Sequence, residues 1–165
     1  MFKVGDYVVK VNSGVCFIEE IATRNMMGQD KQYYLLIPCE DKSAKVYVPV
    51  DADNDKVRYV MTKDEAKSFI DRIPSISEAV IISDKVREQE YKDAIKSGSP
   101  DRLVAILKNI SQRNHDRMLQ GKKNTTIDER YYKQAVNMLY SELGFALGVS
   151  REEIAELVVS QILNL

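Results

Sequence analysis

Over the first 60 residues, apolar side chains come in short runs separated by turn chemistry, the pattern of brief strands. Tyr7-Val8-Val9-Lys10 is followed by the turn Asn12-Ser13-Gly14. Val15 to Ile21 reads as a second strand, with Glu19 and Glu20 on opposite faces and Asn25-Met26-Met27-Gly28 as the hairpin after it. Gln32 to Ile37 is rich in aromatic and branched residues, and Pro38 ends that run or marks an edge. Lys45 to Val50 is a further run, stopping near Pro49. Strands this short cannot lie flat and keep a core dry, so they are expected to curl into a small barrel.

From residue 61 onward the spacing becomes helical. Thr62-Lys63-Asp64-Glu65 has the form of a capping box, Ala66, Phe69, Ile70 and Ile73 follow on one face, and Pro74 stops the helix. Ser75 to Ser83 reads as an irregular linker whose Ala79-Val80-Ile81-Ile82 run is expected to dock as core. A charged helix runs from Asp84 to Lys96 and closes at Ser97-Gly98. Ser99-Pro100-Asp101 opens the next helix, with Leu103, Val104, Ile106, Leu107 and Ile110 on its apolar face. After the basic loop Gln120 to Asn124, Thr126-Ile127-Asp128-Glu129 predicts a second capping box and a long helix ending at Gly148. Ser150-Arg151-Glu152-Glu153 predicts a third box and a last helix. The expectation is an α+β chain: a small β-barrel over 1–60, a helix and linker over 61–83, and an all-α bundle over 84–165.

Composition narrows the function more by exclusion than by suggestion. Hydrophobic residues make up 44% and charged residues 30%, a globular balance. No apolar run approaches the length of a membrane span, and Met1-Phe2-Lys3-Val4-Gly5-Asp6 does not resemble a secretion signal, so a cytoplasmic protein without a membrane partner is expected. Cys16 and Cys39 lie in strand-like stretches and read as core, and with one histidine they make no zinc set. No phosphate-cradling glycine loop or nucleophile elbow is present, and His115 is flanked by charges in Arg113-Asn114-His115-Asp116-Arg117. The chain therefore reads as a binding protein, not an enzyme, with no cofactor, metal or small-molecule substrate. Its net charge is −1, but residues 85–133 hold 12 Lys and Arg against 7 Asp and Glu. Such a segment can face nucleic-acid phosphates or simply be a solvated helix surface.

Several stretches together carry a resemblance. Phe2-Lys3-Val4-Gly5-Asp6-Tyr7-Val8-Val9, Asn12-Ser13-Gly14-Val15, Ile18-Glu19-Glu20-Ile21, Val46-Tyr47-Val48-Pro49-Val50, Lys96-Ser97-Gly98 and Leu139-Tyr140-Ser141-Glu142-Leu143 resemble, in order and spacing, the CarD/CdnL family. The resemblance implies a Tudor-like barrel that binds the β subunit of RNA polymerase. It also implies a helical domain that contacts promoter DNA at the upstream edge of the bubble and stabilises the open complex. It points to Arg24, Met26 and Tyr47 as polymerase-binding residues, Tyr47 standing where many relatives carry arginine. For DNA it points to Lys85, Arg87, Lys122, Lys123 and Arg130. The family's tryptophan wedge has no counterpart: the chain lacks tryptophan, and the equivalent position falls at or near Asp84. An aliphatic wedge from Val80-Ile81-Ile82 is the alternative to their burial. DNA contact is thus expected to be weak and non-specific, and an adaptor whose helices recruit another protein remains the second reading.

Overall fold

The computed structural model describes residues 1–51 and 57–163. The chain divides into two compact units, Met1–Val60 and Met61–Leu165.

The first unit is a five-stranded antiparallel sheet: β1 (Tyr7–Lys10), β2 (Gly14–Met26), β3 (Gln29–Pro38), β4 (Val46–Pro49) and β5 (Val57–Tyr59), in the order β4-β3-β2-β1-β5. The expected closure is not seen. β4 pairs only with β3 and β5 only with β1, and among the described residues no ladder joins the two edges. β5, three residues long, is too brief to have been read from the sequence. The central hairpin is also longer than its hydrophobic pattern suggested, because β2 and β3 remain paired through the polar residues Thr23 to Asn25 and Gln29 to Gln32 and through Met26. Only Met27 and Gly28 form its turn. Both have positive φ (55° and 79°), the conformation whose twist matches a two-residue hairpin loop. One sheet face packs Val8, Cys16, Ile18, Tyr34, Leu36, Val48 and Val57 into a core. Burial there pushes the Cys16 thiol up to about 11, so it stays protonated and behaves as a small apolar residue.

The second unit contains five helices: α1 (Lys63–Arg72), α2 (Asp84–Ser97), α3 (Pro100–Leu119), α4 (Thr126–Leu147) and α5 (Arg151–Ile162), with a short 3-10 turn at Ile73–Ser75. Tyr91, Val104, Leu107, Ile110, Leu139, Leu143 and Ile154 form its centre, and Ala66, Phe69 and Ile70 of α1 belong to the same core. None of these helices is long and apolar enough to cross a membrane. The Thr62 capping box is complete, since Glu65 N donates to Thr62 Oγ1 at 3.1 Å and Thr62 N to a Glu65 carboxylate oxygen at 3.1 Å. The cap of α4, however, is Thr125, not Thr126: Asp128 N donates to Thr125 Oγ1 at 3.1 Å. The Asp128 carboxylate does not reach back to the cap. It faces inward, toward Tyr91 and Arg113.

Candidate polymerase and DNA interfaces

The geometry of the sheet unit depends on an irregularity in β2. Ile18 is opposite Leu36, but Glu20, not Glu19, is opposite Leu35. The extra residue is a β-bulge, and it reverses the side-chain alternation beyond it. Ile18 and Ile21 therefore both reach the core face, although three positions apart, while Glu19 and Glu20 are both exposed. Past the bulge, Glu20, Ala22 and Arg24 share the outer face with Tyr47 of β4, which is paired with Leu35.

There the Arg24 guanidinium lies over the Tyr47 ring at 4.9 Å from its centroid, and Arg24 Nη2 donates to Tyr47 Oη at 2.9 Å. Two residues 23 positions apart are thus joined across β3 with the guanidinium still exposed. Stacking fixes the plane of the fork and leaves its other N–H donors to meet a carboxylate in two-point fashion. Met26, near the hairpin tip, is 48% exposed, and Met27 at the turn is fully exposed. The three residues named for polymerase binding therefore lie on one hairpin and its neighbouring strand.

The five DNA candidates are not equivalent. Lys85, Lys122, Lys123 and Arg130 are exposed. Lys122 and Lys123 line a surface depression together with Asn114, His115, Met118, Asn124 and Glu129. Arg130 stands 3.9 Å from Glu88, which follows Lys85 by one turn on α2. Arg87 is different. Its side chain is 14% exposed, and it donates to Asp84 Oδ1 (3.0 Å), Tyr91 Oη (2.9 Å) and Asn109 Oδ1 (2.9 Å). That internal engagement leaves it little reach toward a phosphate.

Arg87 belongs to a network that no local motif announced. Asp128, 0% exposed, accepts from Tyr91 Oη at 2.8 Å and Arg113 Nε at 2.7 Å, and Arg113 Nη1 donates to Asp84 Oδ1 at 3.1 Å. The Arg87 hydrogen bond, with the charge of Arg113, holds the Asp84 carboxyl below the usual carboxylate range. Burial pushes the Tyr91 phenol up to about 12. Asp84 thus ties α2 to α3.

The linker also departs from expectation. Ala79 and Ile81 pack on the helical core, but Val80 and Ile82 are 85% and 84% exposed. Alternation along an extended segment sends every second side chain outward. Val80 and Ile82 are therefore not core.

The comparisons with known proteins agree in their boundaries with this division. Residues 2–61 match the CarD-like/TRCF RID domain, and residues 77–159 match the CarD C-terminal domain. The chain belongs to the CarD family. It is accordingly an RNA polymerase-interacting transcription regulator. The matched regions leave only the segment around α1 and the two chain ends outside them.

Proposed function

We propose that the sheet unit of this CarD-family protein holds the β subunit of RNA polymerase through Arg24, Met26 and Tyr47, and that the helical unit stabilises the promoter open complex. The observation that carries the first half is the Arg24–Tyr47 pair, a preorganised, exposed guanidinium beside exposed methionine. An oriented fork and a soft apolar neighbour suit a partner surface that offers a carboxylate within an apolar rim. Tyr47 can replace the arginine of relatives because it aims Arg24 and adds contact area of its own.

On the DNA side, Lys85, Lys122, Lys123 and Arg130 supply phosphate contacts, which position a protein without reading sequence. Val80 and Ile82 supply an aliphatic edge, the class of side chain that opens a base step at the minor groove. Such contacts are weak and salt-sensitive, and they act because polymerase binding raises the local concentration of the helical unit.

The test uses the full chain. Arg24→Glu is expected to abolish capture of polymerase core enzyme at physiological salt, and undiminished capture would place the interface elsewhere. A second reading, an adaptor whose helices recruit a protein, draws support from the internal engagement of Arg87 and the net charge of −1. Open-complex lifetime separates the two: the DNA reading expects the protein to lengthen it, and the adaptor reading expects no change with purified polymerase and promoter.

A further inference from the structure

The segment that carries Val80 and Ile82 is irregular, so its backbone groups find no partners within it, and a loop of this kind is ordinarily free to fold its apolar side chains down. Helix α3 prevents this with a row of polar groups along one flank. Lys108 Nζ donates to the carbonyls of Ile73 (2.6 Å) and Ile76 (2.5 Å). Three residues before Lys108, Ala105 O accepts from Ala79 N at 3.0 Å, and one residue after it, Asn109 Nδ2 donates to Ala79 O at 3.1 Å. Arg113 then holds Asp84 at 3.1 Å while anchored on buried Asp128. Positions 105, 109 and 113 recur every four residues, which puts them on one face of the helix. The segment is thus fastened at Ile73, Ile76, Ala79 and Asp84, and the apolar side chains of the last stretch that stand well clear of the protein are Val80 and Ile82.

We propose that Asn109, Arg113 and Asp84 are positioning residues that brace residues 79–84 as a rigid edge, holding Val80 and Ile82 outward before DNA arrives. This rests on the reading of Val80 and Ile82 as the DNA edge and adds how that edge is kept ready. An aliphatic side chain is smaller than an aromatic wedge and has less surface with which to recover the ordering of a mobile loop on binding. A prefixed edge removes that cost. The brace also explains why an acid is found beside DNA-facing lysines: a carboxylate there serves two arginines of its own chain.

The test is a double-mutant cycle on open-complex lifetime with polymerase in excess. Asp84→Ala removes one fastening without leaving a buried charge unpaired, since Arg113 retains Asp128 and Arg87 retains Tyr91 and Asn109. On charge alone, deleting an acid near phosphates would lengthen the lifetime. The brace predicts the opposite, a shortening of about threefold, the scale of one or two side chains ordered on binding. Asn109→Ala should act in the same direction, and both should speed amide hydrogen exchange at residues 80–83. Val80→Ala with Ile82→Ala should shorten the lifetime at least as much, and adding Asp84→Ala to that pair should shorten it no further. If the Val80/Ile82 variant keeps the full lifetime, the DNA edge fails and the brace fails with it. If that variant shortens the lifetime but Asp84→Ala and Asn109→Ala lengthen it, leave it unchanged or add to it independently, the brace alone is overturned.

Discussion

Arg24 and Arg113 are both arginines with an aromatic ring nearby in their networks, and the two units use them in opposite ways. In the sheet unit the guanidinium is laid on Tyr47 in the open, where its remaining donors face outward. In the helical unit Arg113 is 24% exposed and pairs with a fully buried carboxylate, so its charge is consumed within the fold. An exposed pair contributes little to stability but is available to a partner, whereas a buried one is costly to break and unavailable. The comparison teaches that function and architecture have been separated: the sheet keeps its charges outside a wholly apolar core, and the bundle keeps some of its charges inside.

Substitutions should break this contrast in graded steps. The largest effect is expected from Arg113→Ala, which strands Asp128 without its cationic partner and should destabilise the helical unit by about 3 kcal/mol, read as the loss of helical ellipticity in urea. Next comes Tyr91→Phe, which takes a donor from Asp128 and should cost about 1–2 kcal/mol at neutral pH in the same assay. The Tyr91 phenol also gives the bundle an alkaline limit. Its ionisation lies near 12 in the folded chain, above the ordinary tyrosine value of about 10, so folding favours the protonated form. That contribution is intact below about pH 10 and lost as pH rises from there through about 12. Melting temperature followed across that range should fall, and fall less steeply in Tyr91→Phe. Thr125→Ala should cost about 1 kcal/mol and Thr126→Ala only a few tenths, a direct check on which threonine caps α4. Smallest of all, Arg24→Ala should change stability by less than about 0.5 kcal/mol, while on the proposed interface polymerase capture should weaken.

Local patterns made the elements legible, and long-range ones hid the site. Thr62, Ser99, Gly98 and Gly148 act at helix ends as their spacing implied, because capping is decided within one turn of chain. Arg24, Met26 and Tyr47 came from resemblance; their union depends on strand register, which no single stretch encodes. Asp128 illustrates the limit. In Thr-Thr-Ile-Asp-Glu it reads as an ordinary first-turn acid, yet its partners Tyr91 and Arg113 lie 37 and 15 residues away. The one available signal was Asn109 and Arg113, polar positions four residues apart on the flank of a helix whose other side is apolar. The exposure of Val80 and Ile82 is hidden from the sequence because hydrophobicity alone does not say which side of an extended segment faces inward.

The bulge in β2 gives the strand one residue more than strict pairing needs, and Glu19 is that residue. Substituting it should be tolerated, since it is exposed and on the unpaired position of the ladder. Deleting it would restore strict pairing without moving a face: Ile21 would stay opposite Tyr34 on the core side and Arg24 opposite Lys31 on the outer side. The strand should therefore tolerate a codon lost at Glu19, whereas one lost between Ile21 and Arg24 would turn either Ile21 outward or Arg24 inward.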